Sequence, residues 1–273
     1  TGSASPSSYT IKTTAQTVTL TPPSSMDYGF VNWTIETNSS GATSTISGNT
    51  LTIKAGAYGN IKVKANWSKI VIKNETTGKL YLENMGSGLL QKAINEASDG
   101  NKINYYVDIT EDITISKGIS LISGLGRTLT SYITVTCNLP GLVNFGQNGT
   151  SGPTKIIGTV KNTKDCQITF TNVNITSGGD AYTCIINEST GTIIIESGTY
   201  RQEDNSCNVI ENLGGGKIMI EGGTLFVGYD LTSGGDGGAV VANANGTTLI
   251  SGGTLHGYYG VCTGECIDDE GNS

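Results

Sequence analysis

The sequence predicts an all-β protein built mainly as a parallel β-helix, with one short helix before the stack and a small β module before that helix. Each repeat in the second half of the chain consists of two short strands around a Gly-containing or polar corner. Such a unit is too small to bury an apolar face alone, so successive copies must stack as a solenoid. The four aligned segments are QITFTNVNI, TIIIESGTY, KIMIEGGTL and TTLISGGTL, which start at residues 167, 192, 217 and 247 and are therefore offset by 25, 25 and 30 residues.

Composition supports the same fold class. The chain has 39 glycines in 273 residues and only 14% charged residues, which is typical of a β protein with many corners rather than of an α/β enzyme core. The net charge of −7 argues against a nucleic-acid partner, because such a partner requires a basic surface. No apolar run approaches the roughly 20 residues of a membrane span, so we expect none in this sequence.

A single amphipathic helix is predicted directly before the strand repeats. Ser87 is a suitable N-cap, and Asp99-Gly100 provides a stop signal. A helix at this position would cover the apolar cross-section of the first coil. Its apolar face is formed by Leu90, Ala93, Ile94 and Ala97.

The chain is therefore predicted to have four parts. Residues 1–8 are a Ser-rich linker, and residues 9–68 alternate as short strands of a small β module. Residues 69–86 form a bridging hairpin with a turn at Thr77-Gly78, and residues 87–273 form the capping helix and the β-helix.

The small β module carries a recurring aromatic and glycine pattern. It reads YGFVNW at 28–33, AGAYG at 55–59 and ANW at 65–67. This pattern resembles the internalin-type B repeats (Listeria–Bacteroides repeats) of bacterial surface proteins. The resemblance implies a spacer or adhesive stalk without catalytic residues. We interpret Trp33 and Trp67 as core residues rather than exposed platforms for sugar stacking.

The entry to the repeats carries a second resemblance. LQKAINEA at 90–97, Asp99-Gly100 and VDITEDITI at 107–115 resemble the start of pectate-lyase-like right-handed β-helices in bacterial surface proteins. This resemblance implies a right-handed stack and an extracellular location, either secreted or on a bacterial cell surface. It does not imply one activity, because the fold is used by lyases, hydrolases and adhesins alike.

The alignment of the repeats also predicts which side chains point inward. The columns 168/193/218/248 and 170/195/220/250 contain seven large apolar residues in eight positions. Stacked strands lie about 4.8 Å apart, so each column becomes a ladder of side chains in contact. We expect the following residues to be fully buried: Ile193, Ile195, Ile218, Ile220 and Ile250.

The column between these two points outward and is unusually apolar. It places Ile194, Met219 and Leu249 in line on the surface. Three aliphatic residues in a row are unusual on a free surface, although not diagnostic. Either the strand orientation differs locally or something covers these residues, and we keep two interpretations: an intramolecular cover or simple tolerance of the exposure, and a docking face.

The six cysteines suit disulfides in an exported protein. Cys184 and Cys207 are separated by about one coil and could lie on adjacent coils, and Cys262 and Cys266 could close a small loop. The sequence has one histidine and no CxxC pair, so we predict no metal site built on these residues and no cofactor.

Carboxylates provide the other candidate site. Asp180 and Asp236 end two copies of Ser-Gly-Gly-Asp at equivalent corners, and Asp204 lies near the same place on the coil between them. Such a column could bind Ca²⁺ or supply an acid and a base to a glycosidic bond. We favour the alternative that each Asp accepts backbone N–H groups of its own turn.

These features lead to two function hypotheses. The first is a monomeric, non-catalytic adhesin or scaffold that binds glycan or host protein through a face of the β-helix. The second is a polysaccharide lyase or glycoside hydrolase on the same fold. We favour the first hypothesis, because the coils contain no Asp-Asp pair, no Gly-His-Gly and no Arg-Ile-Lys, which are usual signatures of β-helix enzymes.

Overall fold

The structure is a computed structural model that describes most of the chain and divides it into two compact units. The first unit contains Thr1–Ile70 and Leu82–Gly86, and the second contains Val71–Tyr81 and Ser87–Ser273. The described residues are 2–8, 13–38, 44–138, 140–147, 152–177, 183–203, 207–228, 238–257 and 259–263, with only the backbone described at Leu125.

The first seven strands are mostly antiparallel and belong largely to the first unit. They are β1 (Ser3–Ser5), β2 (Gln16–Thr21), β3 (Tyr28–Asn38), β4 (Ser44–Ser47), β5 (Thr50–Ile53), β6 (Ile61–Asn74) and β7 (Leu80–Leu82). One sheet has the order β1-β2-β5-β4, and β3 pairs with β6. Residues 1–8, predicted as a linker, contain β1, because this extended segment adds an antiparallel edge strand to β2.

The core of the first unit contains Trp33. This side chain is 9% exposed, packs 5.2 Å from Phe30 between ring centroids, and donates its indole N–H to Asn49 Oδ1. Trp67 is half-buried and lies 5.9 Å from Phe30. Trp33 is thus a core residue, as the sequence predicts.

The helix α1 (Leu89–Glu96) precedes the stack and buries its apolar face, with Leu90, Ala93 and Ile94 fully buried. The predicted cap residue is wrong. The N-cap is Gly88, at φ 68°, and no side chain caps the helix. A left-handed residue at this position favours glycine, which places Ser87 outside the helix.

The strands of the second unit run mostly parallel. The first of them are β8 (Lys102–Tyr105), β9 (Ile113–Ile115), β10 (Ser120–Ser123), β11 (Thr128–Val135), β12 (Leu142–Gly146) and β13 (Thr154–Asn162). β6 runs through the division between the two units, since residues 72–74 pair with β8. The predicted boundary at residue 68 therefore lies inside a strand.

From residue 167 onward, each coil supplies three short strands. These are β14 (Gln167–Thr171), β15 (Val173–Thr176) and β16 (Ile185–Asn187), then β17 (Thr192–Ile195), β18 (Gly198–Gln202) and β19 (Ile210–Asn212), then β20 (Lys217–Ile220), β21 (Thr224–Val227) and β22 (Ala239–Asn243), and finally β23 (Thr247–Ile250), β24 (Thr254–His256) and β25 (Tyr259–Thr263).

Equivalent strands pair in parallel and form three faces of a right-handed β-helix. The first face is β8-β10-β12-β14-β17-β20-β23, the second contains β15-β18-β21-β24, and the third contains β16-β19-β22-β25. β13 serves both later faces, since its start pairs with β15 and its end with β16. Gly158, at φ 137°, lies at this change of face, and a Cβ there would overlap Ser131 O.

The predicted inward columns form the core. Ile193, Ile195, Ile218 and Ile220 are fully buried, which confirms the predicted orientation of these strands. Ile250 was expected to be buried but is 41% exposed. Its strand, β23, pairs with β20 on one side, and no later described strand stacks on it. Within the described part of the chain, no helix has the length and apolar character needed to cross a membrane.

Candidate functional site on the outer faces

The predicted apolar column lies on the first face. Parallel pairing in constant register places Thr169, Ile194, Met219 and Leu249 in line. Ile194 and Met219 are half-buried, and Leu249 is 47% exposed. The structure thus brings the three predicted residues together, and their role in binding stays a prediction.

A second outward column, on the second face, is cationic and aromatic. It contains Thr176, Arg201, Phe226 and His256 in register. The guanidinium carbon of Arg201 lies 6.0 Å from the centroid of the Phe226 ring, within the range of a cation–π contact. The Phe226 and His256 ring centroids are 5.1 Å apart. Arg201 and Phe226 are half-buried and His256 is exposed, so the column presents a continuous surface.

A column of hydroxyl and amide groups runs beside it. Asn174, Thr199, Thr224 and Thr254 occupy positions two residues earlier on the same strands. Alternate residues of a strand point to the same side, so both columns face outward together. Asn174 Oδ1 accepts a hydrogen bond from Thr199 N at 3.0 Å. The second face therefore combines an aromatic ring, a guanidinium and several hydroxyls.

The side chains behind this surface are tightly packed. Tyr200 and Leu225, between the two columns on their strands, are fully buried. The Tyr200 ring meets Phe170 edge to face at 6.0 Å, and its hydroxyl donates to Ser197 O. Burial raises the pKa of Tyr200 well above its usual value, so this group is neutral. At Gly198, with φ 119°, a Cβ would overlap Val173 O. The two coils therefore approach too closely for any residue other than glycine at this position.

A buried asparagine ladder fixes the corner after the third face. Its members are Asn162, Asn187, Asn212 and Asn243, and each of the first three amides donates to the Oδ1 of the next member, at 3.0, 3.0 and 2.7 Å. The amides of the last three also donate to the backbone carbonyl groups of Gly191, Gly216 and Gly246. Fully satisfied buried polar networks of this kind hold one geometry. The ladder therefore fixes the relative position of successive coils.

The carboxylate column cannot be placed, because Asp180, Asp204 and Asp236 lie outside the described residues. At the edge of that region, the buried Ser177 hydroxyl donates to Gln202 Oε1. Within the described residues, no three or more His, Cys, Asp or Glu side chains are grouped so as to hold a metal ion. The Ca²⁺ site and the turn interpretation both stay predictions.

The predicted disulfide between Cys184 and Cys207 is not formed, because Cys184 is a free, buried thiol. Ile185 pairs with Ile210, so the residue beside Cys184 is Val209 rather than Cys207. Burial raises the pKa of Cys184 to about 12. One coil here is 25 residues, and a spacing of 23 leaves the pair out of register.

Of the other predicted pair, Cys262 is disulfide-bonded, and Cys266 lies outside the described residues.

No known protein family, curated protein or solved structure matches this chain. Chemical inference about its function therefore starts from the outer columns. An aromatic ring packs against the apolar side of a sugar ring, a guanidinium pairs with carboxylates, and hydroxyls exchange hydrogen bonds with other hydroxyls. The second face presents all three kinds of group.

Proposed function

We propose that this chain is a non-catalytic extracellular protein, an adhesin or scaffold that is secreted or held on a bacterial cell surface, and that it binds glycan as a monomer through the second face of its β-helix. The observation that carries the proposal is the Arg201–Phe226–His256 column beside the threonine column. The B-repeat-like pattern in the first unit and the pectate-lyase-like entry to the coils support the extracellular location.

The chemistry of the column favours a glycan that carries carboxylate groups. Phe226 offers a half-buried ring that contacts Arg201 on one side and His256 on the other. The protein has a net charge of −7, so a general attraction for anions is absent and the local guanidinium of Arg201 would select the acidic group. Thr199 and Thr224 would contact the sugar hydroxyls. The proposal requires no cofactor.

The first-face column of Ile194, Met219 and Leu249 fits a different ligand. It offers aliphatic surface and suits an apolar protein partner better than a sugar. The test below therefore uses this column as the matched control surface.

The experiment is a glycan-array screen on the whole chain, followed by titration calorimetry with the glycans that bind. Phe226→Leu keeps an apolar side chain but removes the ring, and Arg201→Gln removes the charge. Each is expected to weaken binding about tenfold, equivalent to about 1.4 kcal/mol. Arg201→Gln should act only on glycans that contain carboxylates. Leu249→Ser, on the first face, should leave the affinity unchanged.

Thermal unfolding of each variant separates a lost contact from a damaged fold. Binding to no glycan, or binding that Phe226→Leu and Arg201→Gln leave intact, would contradict the proposal. If only Leu249→Ser lost affinity, the glycan-binding site would have to be assigned to the first face. Cleavage of a bound glycan would show that the protein acts as an enzyme rather than as an adhesin or scaffold.

A further inference from the structure

Two cysteines outside the predicted pairs meet on successive coils. Cys137 follows β11, and Cys166 directly precedes β14. Leu142 pairs with Gln167, so Gly141 is the residue that stacks beside Cys166. A Cβ at Gly141 would lie 2.8 Å from Asn138 O and 3.4 Å from Cys137 Sγ, so the Cys137 thiol lies beside this glycine. The Cys137 and Cys166 side chains are thus neighbours on successive coils, and each influences the ionisation of the other.

The surroundings of the two thiols are unequal. Cys137 forms part of the wall of a cavity of about 550 Å³, together with Asp99, Lys117, Gly118 and Asn144. Cys166 is fully buried, and its Sγ lies 3.4 Å from Asn162 Oδ1. Cys137 is itself only 2% exposed, but of the two thiols it is the one that lines the cavity, so a small molecule there approaches Cys137 rather than Cys166.

The polar groups of the cavity wall near Cys137 have partners within the protein. Lys117 Nζ donates to the carbonyl groups of Asn95 and Ala97, and Asp99 Oδ1 accepts a hydrogen bond from Gly118 N at 2.7 Å. These groups are held by the protein itself and leave the thiol as the reactive group of the wall.

The two thiols also differ in how easily they ionise. The neighbouring Cys166 thiol lowers the pKa of Cys137, although burial opposes the effect. The same contact, reinforced by burial, raises the pKa of Cys166. Since the thiolate is the nucleophile in disulfide exchange, Cys137 is suited to attack first and Cys166 to react second.

We propose that Cys137 and Cys166 are an oxidisable pair, and that a small organic disulfide entering this cavity converts them into a disulfide between two successive coils. In the first step the Cys137 thiolate attacks one sulfur of the small disulfide, whose S–S bond breaks and releases a thiolate. In the second step the deprotonated Cys166 sulfur attacks the Cys137 sulfur of the mixed disulfide and releases a second small thiolate. Two protein thiols are oxidised, one small disulfide is reduced, and the two protein protons end on the released thiols.

The test uses the whole, folded chain after reduction. It is incubated with glutathione disulfide, remaining thiols are alkylated, and peptides are mapped without reduction by mass spectrometry. The expected product is a cross-linked peptide pair containing Cys137 and Cys166, with Cys184 fully alkylated after denaturation. The cross-link is expected to raise the midpoint of thermal unfolding by about 5 to 10 °C relative to the reduced chain.

Two variants test the order of the steps. Cys166→Ser should trap glutathione on Cys137, and Cys137→Ser should leave Cys166 unmodified, because the buried thiol is not reached from the cavity. Cys184→Ser is the control and should leave the cross-link intact. A protein-sized disulfide should oxidise the pair more slowly than glutathione disulfide.

The wild-type peptide map decides the proposal even if a variant fails to fold. Absence of the Cys137–Cys166 peptide from the folded, oxidised chain would overturn it. Modification of Cys166 in the Cys137→Ser chain, or reaction of Cys184 as readily as of Cys137 in the folded wild type, would also overturn it.

Discussion

The apolar cross-section of a coil is covered at the start of the β-helix and partly exposed at the last described coil. At the start of the stack, α1 buries Leu90, Ala93 and Ile94 completely. On the last described coil, the inward-facing Ile250 is 41% exposed, although its equivalent one coil earlier, Ile220, is fully buried. In a solenoid each coil contacts only its neighbours, so the same side chain contributes fully only where it is covered on both sides.

The largest expected effect compares an inner coil with the last one. Ile195→Ala should reduce the free energy of unfolding by about 2 to 5 kcal/mol, because a residue fixed between two coils leaves a cavity that cannot collapse. Ile250→Ala removes the same atoms from a side chain that is 41% exposed and should cost less than about 1 kcal/mol. Chemical denaturation of both variants measures the difference. Equal losses would show that burial in this stack does not depend on neighbouring coils.

The asparagine ladder offers the same comparison for polar groups. Asn187 accepts from Asn162 and donates to Asn212 and to Gly191 O, so Asn187→Ala leaves buried groups without partners on both neighbouring coils. We expect a loss of about 2 to 3 kcal/mol. Asn243 accepts from Asn212 and donates to Gly246 O on the last described coil, and Asn243→Ala should cost about 1 kcal/mol.

Hydrogen exchange provides a second measurement of the ladder. In Asn187→Ala, protection should fall at the corners before β17 and β20 while α1 remains protected. A larger loss of stability in Asn243→Ala than in Asn187→Ala would contradict the assumption that inner members of the ladder contribute more.

The fold could be predicted because its signal is periodic. Apolar residues return at positions such as Ile193 and Ile218, and the same offset of 25 residues places them in one buried column. Ile250 carries the same signal but is exposed, because a periodic pattern does not report whether another coil follows. The ladder at Asn162, Asn187 and Asn212 repeats at the same spacing and could have been recognised from the sequence.

The outer column of the second face gave no comparable signal. Arg201, Phe226 and His256 differ in residue type and in chemical class, so only the strand register shows that they form one column. The apolar column containing Ile194 and Met219 was visible in the sequence because its members are alike. A mixed column suits the recognition of a chemically mixed ligand, and for the same reason it is hidden from a search for repeats.

The smallest expected effect concerns the capped end and its dependence on pH. Glu96, the last residue of α1, accepts hydrogen bonds from Lys79 Nζ at 2.7 Å and from the Tyr81 hydroxyl at 2.6 Å. The hydrogen bond from Lys79, followed by that from Tyr81, lowers the pKa of Glu96. Burial, assisted by the hydrogen bond to Glu96, raises the pKa of Tyr81, so its hydroxyl remains a donor at neutral pH.

A carboxylate whose pKa is lower in the folded than in the unfolded chain stabilises the fold above its unfolded pKa and loses that contribution as the pH falls through the folded pKa. The wild type should therefore lose part of its stability below pH 4.5, the usual value for this carboxyl, and Glu96→Gln should lose less over the same range. The effect should be small, because the Lys79–Glu96 ion pair is exposed to solvent. Glu221→Gln, at an exposed corner near the other end of the stack, is the matched control for the removal of one exposed carboxylate. If thermal unfolding between pH 3 and 7 gives parallel curves for the wild type and Glu96→Gln, the attachment of α1 does not depend on this carboxylate, and other contacts, such as the burial of Leu90 and Ile94, hold the capped end.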